Sequence, residues 1–215
     1  MSLLMRAPKA TATWTWVVEH AEGSDVVEVG CATAASVAEV LKNRDLLYLD
    51  GVDVDWFQYG SGHTGYRSRI LYCSGLTPTA LATRVRNSRP TGQPEAYPES
   101  LVLNGPGNWI ASDGSKRGEV GLVMVTVDVA TEDTMVELSV HHDIWAENDF
   151  LGRPHPEVHR GNAPRLAQAL RDLEATLGAA AEVGEPTYFG TASDHGVQAP
   201  RSGSAGGGLD VTDRL

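Results

Sequence analysis

Between Val136 and Leu177 the chain gathers the residue types that do chemistry: four of its seven histidines, clustered carboxylates and a tryptophan. If strand alternation runs through this stretch, Val136, Leu138, Val140 and Ile144 face a core, while Glu137, Ser139, His141, Asp143 and Trp145 project from the other side. A carboxylate, an imidazole and an indole side by side suit two kinds of work. One is an interface, with Trp145 as apolar anchor and Glu137, His141, Asp143, Glu147 and Asp149 as its polar surround. The other is an enzyme using His141, Asp143 and, from the next loop, His159 as acid–base groups or metal ligands.

Other motifs carry less. Gly60-Ser-Gly-His-Thr-Gly65 matches GxGxxG, but a strand-like run, Tyr66 to Cys73, follows it where a dinucleotide site needs a helix. No Asp or Glu lies between Trp56 and Pro94 to meet a ribose, so the glycines read as a hairpin connection. His155 and His159 have helical ligand spacing, yet Pro154 and Pro156 argue against a regular helix there. No GxSxG elbow is present, and Cys31 and Cys73 lack CxxC spacing, so both read as buried free thiols. The reading therefore takes no cofactor and no metal.

Charge is segregated along the chain. From Gly118 to Gly152 there are eight carboxylates and no Lys or Arg; from Trp56 to Pro94 there are five arginines and no carboxylate. Either the two blocks neutralise one another in the fold, or Arg84 and Arg86 serve a helix C-terminus, or the acidic block awaits a basic partner. The net charge of −11 argues against nucleic acid as that partner. With no apolar run near the length of a bilayer span and no secretory leader, the expected location is the cytoplasm. Arginine outnumbers lysine 14 to 3, the mark of a GC-rich genome such as an actinomycete's.

The elements that must position these residues follow from periodicity. Thr13–Glu19 reads as a strand, and a turn at 22–25 followed by Val26–Val29 suggests a hairpin. A helix through Ala34, Val37, Val40 and Leu41 comes next, with Thr33 as cap. Strands are expected at Leu46–Leu49, Val52–Tyr59 and Tyr66–Cys73, and a short helix opens at Thr77-Pro78. Asn87–Gly107 reads as a long loop, and Gly118–Val129 as a central strand covered on both sides. A final helix is capped by Asn162, begins at Pro164, and buries Leu166, Leu170, Leu173 and Leu177. The sum is an α+β fold: a mostly antiparallel sheet with two or three helices packed on one face, in a single domain over 13–190. Residues 1–12 are expected to be flexible and the Gly/Ser-rich tail, 191–215, disordered.

The segments Asp143-Ile-Trp-Ala-Glu-Asn-Asp-Phe-Leu-Gly-Arg-Pro154, Gly161-Asn-Ala-Pro-Arg-Leu-Ala-Gln-Ala-Leu170 and Pro186-Thr-Tyr-Phe-Gly190 resemble a pattern in uncharacterised actinobacterial proteins. Small acidic α+β proteins of that kind resemble the immunity proteins of polymorphic toxin systems, which bind and block a cognate toxin. The resemblance covers mainly the last third of the chain and brings no catalytic residue with it. It implies a binding protein whose partner is a protein, a basic toxin among the candidates. Homodimerisation is the further alternative.

Overall fold

A computed structural model describes residues 4–72, 77–129, 133–200 and 208–215. In chain order the elements are β1 (Ala12–Glu19), α1 (Val26–Asn43), β2 (Gly51–Gln58), β3 (Gly62–Leu71), α2 (Pro78–Asn87), β4 (Tyr97–Asn104) and β5 (Pro106–Ile110). They continue as β6 (Lys116–Val120), β7 (Met124–Val129), β8 (Asp133–Val140), α3 (Pro156–Leu177), β9 (Glu182–Val183), β10 (Thr191–Ser193) and β11 (Gly196–Gln198). The fold is α+β. Seven strands form one sheet in the order β3-β2-β4-β7-β8-β1-β9, and every pairing in it is antiparallel. β5–β6 and β10–β11 are separate hairpins.

Strand alternation divides the sheet into two unlike faces. One carries Trp14, Trp16, Val52, Val54, Leu101, Leu103, Val125, Val127, Val136 and Leu138, all buried in a single core with Val37 and Leu41 of α1, Leu81 and Val85 of α2, and Leu166, Leu170 and Leu173 of α3. The register puts Asp53, Asp55, Ser100, Val102, Thr126, Asp128, Met135, Glu137, Thr15 and Val17 on the other, and several of these are exposed.

Several expectations about elements are corrected. Gly118–Val129 is not one strand: β6 pairs with β5 in a separate hairpin, and only β7 lies in the main sheet, with one face open. Val26–Val29 opens α1 instead of a hairpin strand, because the Asp25 carboxylate accepts the N–H groups of Val27 and Glu28 and so caps the helix eight residues before Thr33. Tyr97–Asn104, inside the expected loop, is an interior strand: Leu101 and Leu103 supply the buried row, and Pro98 falls where the register against β2 shifts, at Asp55/Trp56. Leu46–Leu49 is not a strand, although its backbone bonds to the β5 region.

α3 starts at Pro156, not Pro164, which lies inside it. Asn162 is accordingly not a cap. Its buried side chain accepts the Ile110 N–H at 2.8 Å and donates to the carbonyls of Ile110 and Val158, both at 2.8 Å, so it completes the backbone pairing of β5 as a neighbouring strand would. Asn162→Ala should cost about 2 kcal/mol in urea melts, since the part-buried N–H and carbonyl of Ile110 lose their partner. Arg171→Ala, at an exposed position of the same helix, should cost less than about 0.5 kcal/mol. Equal losses would show that the Asn162 bonds contribute nothing.

The described parts of both termini are packed. Ala7, Phe150, Phe189 and Val211 form a second small core, and the Val211 N–H donates to the Phe150 carbonyl at 2.9 Å. The β10–β11 hairpin buries Ala192 and Val197, and the Trp14 indole donates to the Ser193 carbonyl at 2.8 Å. In the parts of 191–215 that the structure describes, Ala192, Val197 and Val211 supply this packing. Cys31 is buried in α1, and burial pushes its thiol up to about 12; Cys73 lies outside the described residues. No helix among the described residues is long and apolar enough to cross a membrane.

Candidate functional site

The expected site around Asp143 and Trp145 does not form a surface. β8 ends at Val140, where the N-terminal segment pairs with the chain: Arg6 bridges to His142, and the Ala7 N–H donates to the His141 carbonyl at 2.8 Å. A single helical turn, Asp143–Trp145, follows, so the alternation that would have kept His141, Asp143 and Trp145 on one exposed face stops short of them. Trp145 is 0 % exposed and packs in the main core; as placed, it cannot anchor a partner.

Asp143 is equally buried. Its Oδ1 accepts the Met5 N–H at 3.2 Å and its Oδ2 has no partner among the described residues. Burial, with the Asp149 charge nearby, pushes its carboxyl up to about 7. His142 is buried too, and burial, Arg6 and His141 push its imidazole down to about 4. His141 is half-buried beside Ala7, and burial lowers its pKa.

Glu147 is exposed, and Asp149 turns its own loop by accepting the N–H groups of Leu151 and Arg153. His159 lies on α3 beside a cavity of about 280 Å³ shared with Trp145, Ser193 and His195; His195 bonds Glu174 at 2.8 Å. His141, Asp143 and His159 thus sit in different surroundings, and no described trio of His, Cys, Asp or Glu is arranged to hold a metal. GxGxxG spans the β2–β3 turn, with positive φ at Gly60, Gly62 and Gly65.

Of the expected residues, Glu137 is exposed on the open face of the sheet, next to a concave region. A basin of about 1050 Å³ lies there, floored by Asp55, Ser100, Asp128, Met135 and Val17 and walled by Phe57, Tyr59, His63 and Tyr97. Glu137 is one register row away, opposite Thr126 and Thr15. Sequence reasoning missed this site, although its signal was present: Asp53 and Asp55 alternate with buried Val52 and Val54, and Thr126 and Asp128 with Val125 and Val127.

Of the alternatives for the charge blocks, the structure places Arg84 and Arg86 in the last turn of α2, and the two blocks form no ion pair with each other among the described residues. All five arginines of the basic block are occupied elsewhere: Arg67 by Asp55, Arg69 by Asp50 and Asp53, Arg86 by Asp25 and Glu28, and Arg84 and Arg89 by backbone carbonyls. Among the described residues no Lys or Arg pairs with a carboxylate of the acidic block, and Asp128, Asp133 and Glu137 of that block share the open face. Burial and the charges of Glu137, Glu99 and Asp55 raise the Asp128 carboxyl above the usual carboxylate range. Comparison with known protein families, curated proteins and solved structures finds no match to this chain.

Proposed function

We propose that this protein is a non-enzymatic binding module whose working surface is the open face of its sheet, and that the partner docked there is a basic protein. The observation that carries this reading is the uncompensated charge: Asp53, Asp55, Glu99, Asp128, Asp133 and Glu137 stand on that face against Arg67, Arg69 and His63, and the three from the acidic block have no cation among the described residues. Exposed Met135 and Val17 supply apolar contact beside them, the mixture a protein interface uses. A second copy of the chain is the poorer fit, because two such faces brought together would oppose like charges. An immunity protein that binds and blocks a basic toxin would present this kind of surface, and the resemblance in the last third of the chain points the same way.

The test is carboxylate-to-lysine cross-linking in cells of the source organism, with the linked positions mapped by mass spectrometry. Links from Asp128, Asp133 or Glu137 to one basic protein, lost in Glu137→Arg and kept in Glu157→Arg on α3, are the expected result. Links between two copies through this face, or a partner whose capture is indifferent to Glu137→Arg, would overturn it.

A further inference from the structure

The register lines up Arg67, Asp55, Ser100, Asp128, Met135 and Val17 in one row across the open face. At its start a guanidinium already sits on a carboxylate. Arg67 Nε donates to Asp55 Oδ1 at 2.7 Å and Nη2 to Asp55 Oδ2 at 2.8 Å, with the Ser100 hydroxyl adding a bond to Oδ2 at 3.3 Å. Two places along, Asp128 has neither a cation nor a hydrogen-bond donor among the described residues. Glu99, close by, is held by His63 at 2.7 Å. One row over, Asp53 is nine-tenths buried and its Oδ1 has no hydrogen-bond donor among the described residues, Arg69 Nε standing off at 3.8 Å.

The wall of the same basin is aromatic. Tyr59 and Tyr97 lie with ring centroids 4.9 Å apart and planes tilted by 31°, and Phe57 meets Tyr97 edge-on at 5.4 Å. Tyr59 is 72 % exposed, so its ring is open to a ligand. Burial and the hydrogen bond to Tyr59 push the Tyr97 phenol up to about 12, which keeps it neutral. Flat π faces lining the same basin as an unpaired carboxylate favour a planar guanidinium over a compact, strongly hydrated ammonium, because only the former both stacks and bonds in two places.

We infer that the basin is a receptor for an arginine side chain of the basic partner, its guanidinium stacked on the Tyr59–Tyr97 pair and bonded to Asp128. The inference rests on the reading of the open face as the docking surface. It makes Asp128 the central contact and leaves Met135 and Val17 as the apolar surround.

Acetylated, amidated Gly-Arg-Gly titrated into the full chain should give saturable amide NMR shifts at Tyr97, Ser100 and Asp128. The isosteric citrulline peptide, without the charge, should bind about tenfold more weakly or worse, and the lysine peptide more weakly than the arginine one. Asp128→Asn removes a charge that Glu137, Glu99 and Asp55 oppose, so it should fold and lose about tenfold in affinity. Tyr59→Leu, at an exposed position, should lose several-fold. Equal binding of the arginine and citrulline peptides, lysine binding as tightly as arginine, or undiminished affinity in both variants overturns the proposal. Met135→Arg separates it from the broader reading. A cross-linked partner lost with Met135→Arg and retained with Asp128→Asn leaves the docking face standing without the arginine receptor, and retention in both removes the two together.

Discussion

Asp143→Asn is expected to stabilise the protein at pH 7 by on the order of 4 kcal/mol, and by almost nothing at pH 4. The carboxyl is 1 % exposed and titrates near 7 in the fold against 3.8 as its ordinary value. Above pH 3.8 the unfolded chain has released this proton while the fold retains it, so each pH unit up to about 7 costs the fold about 1.4 kcal/mol. Asparagine keeps an acceptor for the Met5 N–H and carries no charge, and its amide N–H groups replace the hydroxyl of the protonated carboxyl, which has no partner among the described residues either.

His142 runs the other way. Its folded value is near 4 against 6.5, so the stability it contributes while neutral in both states is lost as pH falls from 6.5 to about 4. Across that window the folded pair holds one proton, on Asp143, and the unfolded pair also holds one, on His142. Their effects on the pH slope cancel in the wild type. In Asp143→Asn the histidine is uncovered, and stability should fall on acidification between pH 6.5 and 4. Urea melts at pH 4, 5.5 and 7 check both halves. A variant no more stable than wild type at pH 7, or one with no acid-side slope, would mean that the pair is not buried as described.

How much was legible depended on whether a signal was local. The Thr77 cap with Pro78 in the first turn, the alternation of β1 and the leucine stripe of α3 are read from neighbours in sequence, and each is present. The start of α1 is not decided by the sequence, because Ser24-Asp25 has the chemistry of a turn and of a helix cap alike, and only the bonds to Val27 and Glu28 decide between them. Asn162 has the residue type of a cap, and the presence of Ile110 beside it made it a strand's hydrogen-bonding partner. At the site, alternation does not continue past Val140, where a long-range pairing with Arg6 and Ala7 ends the strand. The open face itself was visible as acidic residues alternating in β2 and β7. That those strands lie two apart, with β4 between them, depends on strand order, which no single strand's pattern contains.

Gly107→Ala should cost on the order of 4 kcal/mol or more, an exceptional loss for one methyl group, while Gly92→Ala should stay within about 0.5 kcal/mol. Its region reads from composition as a loop, where glycine usually relieves a turn. Here it permits contact instead. A Cβ on Gly107 would stand 2.1 Å from the Leu46 carbonyl oxygen and 2.7 Å from its carbon, and one on Gly105 2.0 Å from the Tyr48 oxygen. Among the described residues nothing lies within 4 Å of a Cβ at Gly92.

The obstacle is backbone, so no side-chain rotation relieves it, and the two chains cannot part without loss. The Tyr48 N–H donates to the Pro106 carbonyl at 2.7 Å and the Asn108 N–H to the Asp45 carbonyl at 2.8 Å. Arg165 Nη2 ties the seam from α3, bonding the carbonyls of Arg44 at 2.7 Å and Asn108 at 2.9 Å, and Leu46 and Leu47 are buried beneath it. Separation would orphan these groups and expose both leucines. Denaturant melts of the two glycine variants decide the matter: equal midpoints would mean that the chains at Leu46 and Gly107 do not touch, and that the β5–β6 hairpin is held by Asn162 and Arg165 alone.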